Sequence, residues 1–126
     1  MAKKEFTLRG KTVQELESMT LKEFAEIAPS RARRSLKRGL SDIQKDLLEK
    51  IKKGKKVKTQ CRDMVIVPAM IGKTISVHNG KAYHPITIEP EMLGHYLGEY
   101  ALTRGKVGHT APGVGASRSS AHRSVK

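Results

Sequence analysis

The sequence predicts a small α+β domain: short helices in the first half of the chain, a short and mostly antiparallel sheet in the second, and an extended basic tail. Three observations lead there. Helix starts and apolar residues at helical spacing occupy residues 12–54; alternating runs flank Asn79-Gly80; from Arg104 onward large apolar groups almost vanish. A chain of 126 residues suggests one domain, with enough material for a real core.

The elements follow in order. Thr12-Val13-Gln14-Glu15 and Thr20-Leu21-Lys22-Glu23 each set a hydroxyl three residues before a carboxylate, the signature of a capped helix start. Two short helices, or one bent one, are expected, with Leu16, Met19, Leu21, Phe24 and Ile27 on the buried side and Pro29 as the stop. The run Ser30 to Gly39 has helical composition, with arginines three and four apart sharing a face. After Ser41, the spacing of Ile43, Leu47, Leu48 and Ile51 predicts an amphipathic helix, with Lys50, Lys52 and Lys53 complementing its dipole before Gly54. Lys55 to Lys58 reads as a charged connector and Val65-Ile66-Val67 as a strand closed by Pro68. Thr74 to His78 alternates, and Lys81 to Ile88 resumes strand composition, so Asn79-Gly80 predicts a type I′ hairpin with Pro85 at an edge or bulge. Pro90 is placed for a first helical turn, after which Leu93, Leu97 and Tyr100 pack back onto the hairpin.

The charge of +13 is uneven. Residues 1–30 are neutral, 31–62 carry +10, 63–103 carry −2 and 104–126 carry +5. One basic internal block and one basic tail around a nearly neutral unit predict two contact surfaces for a polyanion. The tail has too little apolar surface to offset its ordering entropy and is expected to order only against a partner. Charge runs on helices are usually solvated faces, and Lys50, Lys52 and Lys53 alone fit that reading. The cluster from Arg31 to Arg38 is arginine-rich and contains no acid, which suits bidentate phosphate contact. The aromatics are Phe6, Phe24, Tyr83, Tyr96 and Tyr100, too few for a broad base-stacking platform, so phosphate contact and shape are the expected basis of binding.

Other chemistry finds no support. Gly72-Lys73-Thr74 resembles the end of a phosphate loop, but Val67 stands where the loop needs its first glycine. No two of His78, His84, His95, His109 and His122 have the four-residue spacing of a helical metal site. His78 and His84 flank the hairpin turn and could face each other, yet two ligands do not fix a metal. Cys61, the only cysteine, excludes an internal disulfide or a cysteine zinc cluster. No acid, base and nucleophile converge, so no enzyme, catalytic residue or cofactor is expected. Met1 to Glu5 shows no apolar signal region, and no apolar run reaches about 18 residues, which predicts a cytoplasmic protein without a membrane partner.

Residues 79–103 carry a more specific pattern: Asn79-Gly80-Lys81, Ile88, Leu93-Gly94, Leu97-Gly98-Glu99-Tyr100 and Thr103-Arg104. It extends to Met70-Ile71-Gly72 and Val77-His78 upstream and Gly108-His109 downstream, while Arg34-Ser35-Leu36-Lys37-Arg38-Gly39 forms a basic motif near the start. At this spacing the chain resembles the universal family of the nineteenth small-subunit ribosomal protein over residues 34 to 109. Residues 1 to about 33, and Pro112 to Ser117, resemble the archaeal and eukaryotic branch, with the archaeal type expected. Where bacterial members commonly carry an aromatic, this chain has Gly105-Lys106-Val107.

The resemblance implies a structural constituent of the small ribosomal subunit, bound to rRNA in the subunit head beside the thirteenth small-subunit protein and near a bridge to the large subunit. It also implies a C-terminal tail approaching tRNA and the decoding region. The expected division is a helical extension over 1–33, an rRNA-binding domain over 34–103 and a basic flexible tail over 104–126. Phosphate contacts are expected from Arg31, Arg33, Arg34, Lys37, Arg38, Lys52, Lys53, Lys55, Lys56, Lys58 and Arg62. Further RNA contacts are expected from Lys73, His78, Lys81, His95, Arg104, Lys106 and His109, and tRNA-proximal positions at Arg118, Arg123 and Lys126. The alternative is a free basic nucleic-acid chaperone or regulator.

Overall fold

A computed structural model of the chain describes residues 4–108 together with 119 and 122. The fold is α+β. A two-stranded hairpin, β1 (Thr7–Leu8) and β2 (Lys11–Thr12), leads into α1 (Val13–Ser18), α2 (Leu21–Ile27), α3 (Ser30–Lys37) and α4 (Asp42–Lys52). A three-stranded sheet follows in the order β3 (Val57–Thr59), β4 (Thr74–His78), β5 (Tyr83–Thr87), with single 3₁₀ turns at Pro68–Met70, Pro90–Met92 and Leu97–Tyr100.

The helix starts are set locally. The Thr12 and Thr20 side chains accept from the backbone N–H groups of Glu15 and Glu23, whose carboxylates accept from the threonine N–H groups in return; Ser41 and Gln44 repeat the device at α4. α2 ends before Pro29, which stands at the N-cap of α3 with extended backbone. Leu16, Phe24 and Ala32 from the first three helices, and Ala28 at the end of α2, join Leu47, Leu48, Ile51 and the inner sheet residues Val57, Ile75, Val77 and Ile86 in one hydrophobic cluster. Not every residue on the predicted apolar faces is inside: Ile43 is 67% exposed and Leu21 41%.

Three expectations are corrected. The type I′ turn lies in the N-terminal region, where only helices were expected: Arg9 and Gly10, both at positive φ (48° and 81°), join β1 to β2. At Asn79-Gly80 the last sheet pair is His78 with Tyr83, leaving a four-residue turn in which only Gly80 has positive φ. The Asn79 side-chain oxygen accepts from the N–H groups of Lys81 and Ala82 at 3.0 and 2.8 Å, so its own backbone need not adopt the left-handed conformation. The same register sets His84 opposite Val77 and on the other face from His78, so the two histidines do not meet.

The third correction concerns the middle of the chain. The expected connector contains β3, which pairs in parallel with β4 and buries Val57 and Thr59 while Lys58 points outward. The expected strand Val65-Ile66-Val67 lies outside that sheet. Ile66 N–H donates to the His95 carbonyl at 2.8 Å, Leu97 N–H to Met64 at 3.0 Å and Gly98 N–H to Arg62 at 2.9 Å, with a single antiparallel bridge between Val65 and Tyr96. Pro85 does sit on an edge strand, opposite Ser76, where its missing N–H costs no ladder bond.

Two glycines on this clasp between residues 62–66 and 94–98 sit at close approaches, one to Pro29 and one to the facing segment. A Cβ on Gly94, whose φ is +81°, would lie 2.9 Å from Pro29 Cδ; one on Gly98 would lie 2.9 Å from the Arg62 carbonyl oxygen. Gly98→Ala is therefore expected to destabilise the fold by about 1–3 kcal/mol through overpacking, read as a lower urea midpoint at unchanged slope. An unchanged midpoint would mean the two segments are not clamped.

Candidate nucleic-acid interface

The basic block is built on α3 and on the stretch from the end of α4 through β3. Ala32 is buried and Leu36 half-buried on the inner side of α3, so helical geometry turns Arg31, Arg34, Lys37 and Arg38 to solvent. The Ser35 hydroxyl lies 3.1 Å from the Tyr96 hydroxyl and ties this helix to the 96–100 turn. No acid lies within α3. Among the described residues, the side chains of Arg31, Arg34 and Arg38 make no hydrogen bond or ion pair within the fold. Lys37 is paired with Glu26 at 2.8 Å; its hydrogen bond and charge hold the Glu26 carboxyl below its ordinary range.

Lys52, Lys53, Lys55, Lys56 and Lys58 are all exposed. Lys53 pairs with Glu49 at 2.6 Å and lowers the pKa of that carboxyl. The exposed pairs of Lys37 and Lys53 contribute little to stability and can exchange for phosphate. Lys58 lies over the Tyr83 ring, its Nζ 5.5 Å from the centroid.

Three predicted contact residues are engaged inside the fold. Arg62 Nη1 donates to the His78 carbonyl at 2.7 Å, and Nη2 donates to Gly98 and Ala101 at 2.8 and 2.6 Å. Its planar fork thus joins the end of β4 to the 98–101 turn. Lys73 Nζ donates to the Ile51 carbonyl at 2.8 Å, a cation at the C-terminal end of α4. Arg33 Nη2 donates to the Glu26 and Ala28 carbonyls at 3.1 and 3.3 Å, bracing the end of α2, while its buried Nε has no partner among the described residues. Sequence composition does not separate these cations from their exposed neighbours, because the carbonyls they serve are mostly remote in the chain.

The remaining positions are scattered. His95 Nδ1 lies 2.9 Å from a Glu99 carboxylate oxygen, and the neighbouring Tyr100 hydroxyl has its pKa raised by burial, with the Glu99 charge adding to it. His78 Nδ1 accepts from Gly80 N–H at 3.0 Å, and the His78 and Tyr83 rings meet edge-on at 4.9 Å. Lys81, Arg104 and Lys106 are exposed. His109, Arg118, Arg123 and Lys126 lie outside the described residues. Tyr83 was not singled out by sequence; its only signal is an aromatic beside the turn.

Among the described residues, no group of three or more His, Cys, Asp or Glu could hold a metal ion, and no helix is long and apolar enough to cross a membrane. What the geometry offers is an exposed cationic face on a packed scaffold, suited to a polyanion. Compared with protein families, residues 34–109, more than half of the chain, match the family described as Ribosomal protein S19.

Proposed function

The chain belongs to the ribosomal protein S19 family, whose members have a structural role in the small ribosomal subunit and bind its rRNA, and from that premise we propose how this member does so. The outward side of α3, with Arg31, Arg34, Lys37 and Arg38, and the lysines from Lys52 to Lys58 hold rRNA phosphates. The remaining fold orients that face. One observation carries this reading: the solvent side of α3 is a row of cations, free of acids within the helix, on a helix anchored through Ala32 and Leu36. Phosphate contacts of this kind position the protein without reading sequence.

Arg62, Lys73 and Arg33 support the interface from within by holding its elements in place, while Lys81, His95, Arg104, Lys106 and His109 are peripheral contacts. The chain sits in the head of the subunit, beside the thirteenth small-subunit protein and near the bridge to the large subunit. Its basic tail, with Arg118, Arg123 and Lys126, extends toward tRNA and the decoding region. It is a member of the archaeal type and works in cytoplasmic ribosomes.

Sucrose-gradient sedimentation of a cell extract tests this reading. The protein should travel with the small subunit at low salt and leave it as salt rises, because each phosphate contact releases counterions. Recovery at the top of the gradient under all conditions would favour a free nucleic-acid binder instead.

A further inference from the structure

We infer that the outer face of the β3–β5 sheet carries a second RNA contact of a different kind: a single stacking station on Tyr83 that takes an unpaired base, flanked by Lys58 and His78. This rests on the reading that the chain binds rRNA and adds a base contact beside its phosphate face, with Lys58 common to both.

Strand alternation sorts the sheet into two sides. Val57, Thr59, Ile75, Val77 and Ile86 are buried, while Lys58, Ser76, His78, Tyr83 and Pro85 lie on the other side. The register sets Lys58, Ser76 and Pro85 in one row and His78 beside Tyr83 in the next. Tyr83 is 40% exposed. A lone exposed tyrosine would be unremarked; this one is held in place. The His78 ring meets it edge-on at 4.9 Å and the Lys58 ammonium lies 5.5 Å from its centroid.

His78 is itself fixed by the turn. Because Nδ1 accepts the Gly80 N–H, a neutral ring carries its proton on Nε2, which has no acceptor among the described residues. The pattern is a restrained ring with a hydrogen-bond donor beside it and a cation within reach. Such preorganisation lowers the ordering cost of binding.

Charge selects the occupant. The three strands contain no Asp or Glu, and Lys81 is exposed on the adjoining turn, so the face complements a group that is flat, aromatic and attached to phosphate. Paired bases in a duplex do not offer their faces; an unpaired nucleotide does. A base stacking on Tyr83 displaces the Lys58 ammonium, whose flexible stem lets it follow the nucleotide's phosphate.

The test is filter binding of the full chain to a small-subunit rRNA transcript across a salt series, with Tyr83→Ala, Tyr83→Leu and Tyr83→Phe. The expected result is a loss of about five-fold or more in affinity for the alanine and leucine variants, full binding for phenylalanine, and the wild-type salt slope in all three. Leucine keeps apolar bulk in the strand, so the test survives if alanine perturbs folding. Unchanged affinity in both variants overturns the stacking station, and their steep salt slope would leave the phosphate reading standing. A phenylalanine variant as weak as alanine overturns it too, by assigning the contact to the hydroxyl. Lost sedimentation with the subunit at unchanged RNA affinity would assign the face to a protein neighbour. Wild-type protein that does not bind the transcript overturns both readings.

Discussion

Replacing Arg31, Arg34 and Arg38 together by alanine lowers affinity for small-subunit rRNA and flattens its salt dependence, while thermal unfolding stays at the wild-type midpoint. If the native face engages roughly 6–10 phosphates, affinity falls by about 10³–10⁵ between about 50 and 200 mM salt. Removing three contacts reduces the slope by roughly 2–3, so over the same range the variant loses roughly sixteen- to sixty-fold less. Folding should not suffer: among the described residues these side chains make no hydrogen bond or ion pair, they are exposed, and alanine is the best helix former. Filter binding at four or five salt concentrations, beside a melt of each protein, checks both halves. A parallel salt slope would remove α3 from the interface.

Arg62→Met gives the opposite pattern, a large loss of stability with no primary effect on the salt slope. The guanidinium satisfies three carbonyls, on His78, Gly98 and Ala101. Methionine fills a similar volume but donates nothing, leaving those oxygens without their charged donor. The expected cost is roughly 3–4 kcal/mol, read from urea unfolding. Arg62→Lys should recover only part of this, because one ammonium on a flexible stem cannot reproduce a planar fork aimed at three acceptors. If Arg62→Met were as stable as wild type and reduced the salt slope by about one, Arg62 would belong to the RNA face after all.

The contrast between these arginines shows how far the sequence could be read. Helix starts were legible because Thr12 with Glu15 and Thr20 with Glu23 complete their hydrogen bonds within three residues. The burial of Leu47, Leu48 and Ile51 was legible from spacing, whereas the exposure of Ile43 depends on where the rest of the fold stops covering α4. β3 was hidden because Val57 and Thr59 are embedded among lysines and their parallel partner lies beyond residue 73. Val65-Ile66-Val67 looks like a strand, yet its backbone partners are His95 and its neighbours rather than the sheet.

The glycine motifs that carried the resemblance acquire a physical meaning of this non-local kind. Gly94 and Gly98 leave room for Pro29 and for the Arg62 carbonyl. The candidate interface was legible as a quantity of charge near residues 31–62 but not as a surface. Arg33 and Arg62 sit within that block and serve carbonyls of the fold, and Lys73 beyond it does the same. Which cations remain for phosphate depends on which carbonyls they meet.

The central claim is that the solvent side of α3 and the lysines from the end of α4 through β3 are covered by rRNA. Comparing lysine acetylation and arginine modification between the free protein and the assembled small subunit, residue by residue, tests it most directly. The account predicts that Arg31, Arg34, Arg38, Lys52, Lys55 and Lys56 lose reactivity on assembly, while Arg62 is slow to react in both states. Full reactivity of those six residues in the assembled subunit would contradict it.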